Sequence, residues 1–196
     1  MVVLSGSNSK PLAKQLAETL NWEHHSLETR RFPDTEGYIR IPSEVIEAVR
    51  KEPVVLVSNT FPDSGIVETL LMLEAINDVR NGNMENLKNI GPQELEDVGP
   101  GILLAIPYFG YSRQDKRFNP GEAISAKAIG NLLASRCDGI IVFDIHEPKV
   151  LSGLSVPVAF TSAMPELAQH LQQEVNPDFI LSPDKGAIER ASEVAK

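Results

Sequence analysis

The sequence has little of several features that place proteins in specialised classes. Its 196 residues include one cysteine, Cys137, so an internal disulfide and a zinc site built from a cysteine cluster are both excluded. Lys and Arg number 18 against 27 Asp and Glu, which gives a formal net charge of −9. A general nucleic-acid surface needs a basic patch, so this balance argues against nucleic acid as a partner. It still allows a phosphorylated small molecule, which a few local donors and a metal ion can hold.

Long apolar runs are also missing. The longest, Ile102–Ile106 and residues 140–143, are far too short to span a bilayer. The N-terminus has no basic segment followed by an apolar run, which argues against a signal peptide. We therefore expect a cytoplasmic protein with no membrane partner. The phosphate-binding motifs G-x-x-x-x-G-K-[ST] and G-x-G-x-x-G do not occur, so neither common nucleotide fingerprint applies.

Short β-branched runs alternate with amphipathic stretches along the chain. This alternation predicts an α/β fold, with a mainly parallel sheet of about five or six strands and helices on both faces. The predicted strands are residues 1–5, 38–41, 54–58, 102–106, 139–144, 156–160 and 178–182. The predicted helices are a first one carrying Leu12, Leu16 and Leu20, a second from about residue 66 to Arg80, and residues 123–136, 163–173 and 187–196. Residues 81–101 are rich in Gly and Asn and predict a surface excursion, with a brief helical turn at 92–98.

Ligands of open α/β sheets bind beyond the carboxyl ends of the strands. This rule selects the segments that follow predicted strands, residues 58–64, 107–122, 144–149 and 182–186. Within the second of these, residues 107–117 hold three aromatic and three cationic side chains. An arginine there can pair bidentately with phosphate, and a glutamine or aspartate can orient an adenine or ribose edge. The alternative is a solvated basic loop with aromatic rings packed beneath it.

Two of these segments carry metal-type ligands. Asp144 and His146 follow a predicted strand, so His146 is a candidate imidazole ligand with Asp144 as its hydrogen-bonding partner; a purely structural histidine is the alternative. Asp184 suits magnesium or a ribose hydroxyl, or else it accepts hydrogen bonds from nearby backbone amides. A further candidate lies outside these segments, where Phe32 could stack on a heterocycle while Asp34 and Glu36 accept hydrogens from an amino group. A polar turn between two strands would explain the same residues.

Together these segments resemble ribose-phosphate diphosphokinase, also called phosphoribosyl pyrophosphate synthetase. The similar stretches, in family order, are RFPDTEGYIRI at 31–41, PYFGYSRQDKRF at 107–118, ISAKAIGNLL at 124–133, FDIHEPKVLSGLSVPV at 143–158 and LSPDKGAIERA at 181–191. The resemblance implies transfer of the diphosphoryl group of ATP to the 1-hydroxyl of ribose 5-phosphate, with release of AMP. It also implies Mg²⁺ as cofactor and a homo-oligomer in which neighbouring subunits share the nucleotide site.

The family's functional residues carry over to matching positions. The ATP-binding residues implied are Phe32, Asp34, Thr35 and Glu36 from a neighbouring subunit, and Arg113, Gln114 and Asp115. The implied magnesium residues are His146 and Asp184.

The family's basic catalytic loop and its acidic Gly-Gly-Thr loop lie downstream of the Ser-Pro-Asp segment, and the 196 residues contain neither. We therefore expect an amino-terminal α/β domain at 1–154 and the beginning of a similar, incomplete domain at 155–196. Such a truncated chain or fragment is expected to be inactive alone, and no catalytic residue is assigned within it. The alternatives are a non-catalytic regulatory paralogue that assembles with active subunits, and a phosphoribosyltransferase. The second fits worse, because it would need a Gly-Gly-Thr loop and no Arg-Gln-Asp element.

Overall fold

A six-stranded sheet forms the framework of the fold in the computed structural model, which describes residues 1–82 and 101–195. The strand order is β2-β1-β5-β6-β7-β8, and the pairs β1–β2, β1–β5, β5–β6 and β6–β7 are parallel. These strands are β1 (Val2–Ser5), β2 (Glu23–Ser26), β5 (Val54–Val57), β6 (Ile102–Ile106), β7 (Gly139–Phe143) and β8 (Val158–Thr161). The predicted α/β class with a parallel sheet is confirmed.

Helices cover both faces of this sheet. They are α1 (Lys10–Leu20), α2 (Ile46–Lys51), α3 (Asp63–Arg80) and α4 (Ser125–Ala134). Alternate residues of each central strand face opposite sides, so that Leu4, Leu56 and Leu104 pack with α2, α3 and α4 in the larger core cluster. Val3, Val55 and Ala105 belong to the smaller cluster, which contains buried alanines of α1.

The buried face of α1 is not its leucine stripe. Ala13 and Ala17 are buried against the sheet, whereas Leu12 and Leu20 are 45% and 42% exposed. Small side chains allow a helix to approach a sheet closely, and a leucine stripe in the same place would hold it further away. The periodicity correctly predicted the helix, and of its three leucines only Leu16 packs against the smaller cluster.

A separate antiparallel hairpin lies between β2 and α2 in the sequence. It consists of β3 (Glu28–Arg31) and β4 (Gly37–Arg40), with Arg30 opposite Tyr38 across the pair. The predicted strand at 38–41 is therefore β4, and its partner is β3 rather than a strand of the main sheet. The hairpin loop, residues 32–36, carries four of the residues implied to bind ATP.

The chain divides into two compact units, Met1–Phe160 and Thr161–Lys196. The second contains α5 (Met164–His170) and α6 (Ile188–Val194), which fall within the predicted helices. A π-helical turn at Leu171–Val175 extends beyond the predicted helix end at residue 173. The predicted strand at 178–182 is wrong, since these residues form no strand. Phe179 and Leu181 are each 90% exposed, and a strand needs hydrogen-bonding partners that this segment does not find among the described residues.

Two sequence-based expectations remain, one on residues 81–101 and one on membrane-spanning helices. The helical turn expected at 92–98 lies outside the described residues, as does most of the excursion at 81–101. No helix within residues 1–82 and 101–195 combines the length and the apolar character needed to cross a membrane.

Candidate functional site

The loops that follow β1, β5, β6 and β7 meet at one edge of the sheet. Their strands are adjacent in the order β1-β5-β6-β7 and parallel, so their carboxyl ends point the same way. Hydrogen bonds link the loops directly: the Asn8 side chain donates to the carbonyl of Asn59 over 3.1 Å, and the Tyr108 N–H donates to Oδ1 of Asn59 over 2.9 Å. The rule that ligand segments follow parallel strands thus selected three loops that occupy one edge.

Arg113 lies in the loop after β6 with its side chain exposed. It makes no hydrogen bond or ion pair with any residue in the described ranges, 1–82 and 101–195. The backbone of the next residue, Gln114, is held by two hydrogen bonds. Gln114 donates its N–H to the carbonyl of Tyr111 over 3.0 Å, and its own carbonyl accepts the N–H of Ala126 at the start of α4 over 3.3 Å. The backbone beside Arg113 is therefore fixed, while the guanidinium is available to an anion.

The structure brings Asp115 and His146 together across the gap between the β6 and β7 loops. Oδ2 of Asp115 lies 3.9 Å from Nε2 of His146. The Asp115 side chain is only 9% exposed, whereas that of His146 is 54% exposed. One residue implied to bind ATP and one implied to bind magnesium thus face each other. Asp144, expected as the partner of His146, adopts a left-handed backbone with φ 44° just after β7.

The loop beyond Asp115 closes on Glu122, a residue that the sequence analysis did not select. Its carboxylate accepts hydrogen bonds from the Asn119 side chain and from the N–H of Phe118, and these bonds lower the pKa of Glu122. Its carbonyl accepts a hydrogen bond from Nε of Arg117 over 2.8 Å. These contacts fix residues 117–122 as a small ordered loop, so Arg113 and Gln114 lie between two anchored segments.

The hairpin loop holds Phe32, Asp34, Thr35 and Glu36 in a tight turn. Oδ1 of Asp34 accepts the N–H of Glu36 over 3.1 Å, and Thr35 has a φ of 75°. The Phe32 N–H donates to the carbonyl of Glu36 over 2.9 Å and continues the hairpin pairing. One Asp34 oxygen thus shapes the turn, as the alternative interpretation predicted, while the Glu36 carboxylate makes no hydrogen bond to the described residues.

Two neighbours that the sequence analysis missed hold the Phe32 ring. Tyr38 packs edge-on against it with ring centroids 5.9 Å apart, and the guanidinium of Arg30 lies 4.8 Å from the Phe32 centroid and 4.1 Å from that of Tyr38. The cross-strand pairing of Arg30 with Tyr38 was the available signal, but it becomes visible only once the hairpin register is known.

A cleft of about 580 Å³ opens between the hairpin and the first turns of α3. Thr35 and Glu36 line it together with Arg30, Arg31 and Glu68. Glu68 is already engaged, since its carboxylate accepts hydrogen bonds from the N–H and the hydroxyl of Ser7 at 2.6 and 2.7 Å. No residue of segment 107–118 lines this cleft.

Asp184 lies in the second compact unit, whereas His146 lies in the first. Its Oδ1 accepts the N–H of Ala187 over 3.0 Å, which is the backbone role that the sequence left open as an alternative. Its Oδ2 makes no hydrogen bond to the described residues. Within the described ranges, His, Cys, Asp and Glu side chains form no group of three or more that could hold a metal ion by themselves.

Comparison with known proteins shows which proteins this chain is similar to. Residues 1–84 and 100–136 match the profile of the N-terminal domain of ribose phosphate pyrophosphokinase. Ribose-phosphate pyrophosphokinases of Methanobrevibacter smithii and Methanothermobacter thermautotrophicus are 35% and 38% identical over 198 and 196 residues, covering 100% and 99% of this chain. A crystal structure of phosphoribosylpyrophosphate synthetase from Mycobacterium smegmatis matches 99% of this chain and 60% of its own with a TM-score of 0.73 at 23% identity, which supports the fold.

This chain spans 59% and 61% of the lengths of the two archaeal relatives. The matched profile covers both the hairpin loop with Phe32 and the loop with Arg113. Together with the parallel sheet and the loops at its carboxyl edge, the match shows that the chain belongs to the ribose-phosphate pyrophosphokinase family, of which it contains the N-terminal domain.

Proposed function

We propose that this chain supplies the ATP-binding part of an enzyme that transfers the diphosphoryl group of ATP to the 1-hydroxyl of ribose 5-phosphate. The products are 5-phosphoribosyl 1-diphosphate and AMP. The observation that carries the proposal is the environment of Arg113. Its guanidinium makes no hydrogen bond or ion pair to the described residues, and it lies on a backbone anchored at both sides, near the Asp115–His146 pair. The residues that match the family profile support the substrate assignment.

Arg113 is suited to the phosphates of ATP because a guanidinium presents two parallel donors to two phosphate oxygens. Gln114 contributes a side chain whose Nε2 already donates weakly to the carbonyls of Lys116 and Ala123, at 3.3 and 3.4 Å. Its amide oxygen makes no hydrogen bond to the described residues and is free to accept one from a ligand. Diphosphoryl transfer of this kind depends on in-line positioning and cationic stabilisation rather than on a covalent nucleophile.

Magnesium fits the donor set at this edge. Mg²⁺ in nucleotide sites keeps several waters and takes one or two carboxylates together with substrate phosphates, so a complete protein cage is not required. The imidazole of His146 would contribute one ligand in the first unit. Asp184, in the second unit, is a separate proposed magnesium residue, and its Oδ2 makes no hydrogen bond to the described residues. The ion would spread the charge of the phosphates during transfer. The nearly buried Asp115 carboxylate lies 3.9 Å from Nε2 of His146, and a hydrogen bond between them in the ligand-bound state would fix the orientation of the imidazole ring.

We further propose that the nucleotide site is shared between subunits of a homo-oligomer. Thr35 and Glu36 line the hairpin cleft, which includes no residue of the Arg113 segment, so the two ATP-binding elements occupy different places on one chain. A neighbouring subunit's hairpin would bring Phe32, Asp34, Thr35 and Glu36 to the nucleotide. Light scattering should give a mass above 21.5 kDa. Mixing Phe32→Ala with Arg113→Ala chains should restore part of the ATP binding that each variant loses alone.

Titration calorimetry with ATP and with inorganic tripolyphosphate, both with magnesium, tests the proposal. The chain should bind ATP more tightly than tripolyphosphate, because the adenine and ribose add contacts that phosphate alone lacks. With ribose 5-phosphate added, a coupled assay should detect no AMP release, since the family's basic loop is not among these 196 residues. Equal affinity for the two ligands would contradict the nucleotide assignment, and AMP release at the level of a complete synthetase would contradict the expected inactivity.

A further inference from the structure

We propose that Asn59 and Thr60, in the loop after β5, are positioning residues that hold the Arg113 loop in its ATP-binding shape. This inference rests on the proposed function, because it assigns these two residues to the same nucleotide site. Two residues separate Thr60 from the start of α3. Both Asn59 and Thr60 lie outside every motif that carried the family resemblance. Their contacts run to the neighbouring loop at the sheet edge.

Thr60 makes three hydrogen bonds to the start of the Arg113 loop. Its N–H donates to the carbonyl of Tyr108 over 3.1 Å, and its hydroxyl donates to the same carbonyl over 3.3 Å. The hydroxyl oxygen also accepts the N–H of Gly110 over 2.8 Å. Thr60 is 1% exposed and Gly110 is buried, so water cannot readily replace the lost bond at Gly110.

The backbone of Gly110 lies directly against Thr60. A Cβ at position 110 would overlap the carbonyl oxygen of Thr60. Because this oxygen belongs to the backbone, it cannot move aside as a flexible side chain could. The glycine therefore permits a close approach that the hydroxyl bond then fixes. The two loops touch through main-chain atoms, which gives the contact a defined geometry rather than a general apolar packing.

Asn59 connects three loops of the same edge. Its Oδ1 accepts the N–H of Tyr108 over 2.9 Å, and its Nδ2 donates to the carbonyl of Asn8 over 3.3 Å. Its own N–H donates to the hydroxyl of Ser9 over 3.0 Å. The loops after β1, β5 and β6 are thus joined at one half-buried amide side chain.

The anchored segment leads directly to the functional residues. Tyr111 follows Gly110 with a left-handed φ of 63°, and its hydroxyl donates to Oδ1 of Asp63 over 2.8 Å. The carbonyl of Tyr111 then accepts the N–H of Gln114 over 3.0 Å, which closes the turn that contains Arg113. A displacement at Gly110 would therefore be passed to the guanidinium three residues later.

A matched pair of substitutions separates the hydroxyl bond from the packing of Thr60. Thr60→Val keeps the shape but removes the oxygen, whereas Thr60→Ser keeps the oxygen but removes a methyl group. Asn59→Ala tests the second anchor, and Asn77→Ala is its control. Asn77 is also half-buried and bridges two segments through its bond to the carbonyl of Arg136, but it lies away from the sheet edge.

Two readouts on the whole chain decide the outcome: the calorimetric Kd for ATP with magnesium, and amide hydrogen exchange of residues 110–114 without ligand. We expect Thr60→Val and Asn59→Ala to raise the Kd roughly tenfold and to speed exchange in this segment, as the loss of a buried hydrogen bond implies. Thr60→Ser and Asn77→Ala should keep the wild-type Kd for ATP and the wild-type rate of amide hydrogen exchange at residues 110–114, even where they lower the melting temperature.

The inference is overturned if Thr60→Val retains the wild-type Kd and exchange rate, or if Thr60→Ser loses as much affinity as Thr60→Val. If Thr60→Val does not fold, the comparison of Asn59→Ala with Asn77→Ala decides in the same way. If the wild-type chain binds ATP no better than tripolyphosphate, the proposed function fails, and unchanged exchange at 110–114 in the variants would separately refute the anchoring role.

Discussion

Replacing Arg113 tests the nucleotide site through an exposed side chain. Because Arg113→Ala removes a side chain that contacts no described residue through hydrogen bonds or ion pairs, the free energy of unfolding should change by less than about 0.5 kcal/mol. The effect on ATP should be much larger. A hydrogen bond to a charged group contributes about 1.5–3 kcal/mol, and the exposure of this site reduces the value of a bidentate pair to about 2 kcal/mol in total. The Kd for ATP should therefore rise about 30-fold.

Two further variants show whether the guanidinium geometry matters. Arg113→Lys keeps the charge but loses the two parallel donors, so it should lie between wild type and Arg113→Ala. Arg50→Ala makes the same change in net charge on the exposed side of α2, where Arg50 pairs with Glu47 at 4.0 Å. It controls for the general attraction between a chain of net charge −9 and an anionic ligand.

Calorimetric titration of the four proteins with ATP and magnesium, at one fixed salt concentration, gives the comparison. The reasoning is refuted if Arg113→Ala binds ATP as tightly as Arg50→Ala does. A large loss of stability in Arg113→Ala, measured by urea unfolding, would show instead that this side chain has a structural role.

Three other substitutions have defined expected outcomes. Buried Arg80 donates hydrogen bonds to the carbonyls of Val49 and Glu52 at the end of α2, over 3.2 and 3.0 Å. Arg80→Met should therefore lower the free energy of unfolding, measured with urea, by about 3 kcal/mol. A decrease below about 1 kcal/mol would contradict this. Burial lowers the pKa of His24 from 6.5, aided by His25, Lys10 and Lys14 and opposed by Glu18. The unfolded chain then binds more protons below pH 6.5, and stability falls as the pH drops from there through the folded pKa. His24→Gln should remove part of this fall between pH 7.5 and 5 (~2.5 pH units), and identical pH profiles would refute the assignment. His146→Ala should raise the magnesium concentration needed for ATP binding more than it changes the preference for ATP over tripolyphosphate, and an unchanged magnesium requirement would argue against a ligand role.

Several elements of the fold were predictable because their signals are local. The runs that form β5 and β6 are continuously apolar, and that of β1 is apolar up to Ser5, as expected for parallel strands covered on both faces. The long helix α3 ends at Arg80 as predicted. The loops that carry Arg113 and His146 directly follow β6 and β7, so their position at the carboxyl edge was predictable from these strands. The family match covers the motif from which Arg113 was selected. The individual roles of Arg113 and His146 stay predictions.

Other elements depended on contacts that no local pattern records. β2 has the polar sequence EHHS and forms because its backbone pairs with β1. The more apolar segment at 178–182 finds no strand partner in the described part of the chain and forms no strand. The buried face of α1 was set by how closely the helix can approach the sheet, which favours Ala13 and Ala17 over the exposed leucines.

The sequence by itself determined which residue types lie at the carboxyl edge of the sheet, because a loop's position follows from the strand before it. Only the tertiary structure decided their mutual geometry. Asp115 faces His146, and Asn59 joins three loops, across sequence separations of 31 to 51 residues. Contacts at such separations depend on strand register and loop conformation together, and these are fixed by packing of the whole sheet rather than by the residues that make the contacts.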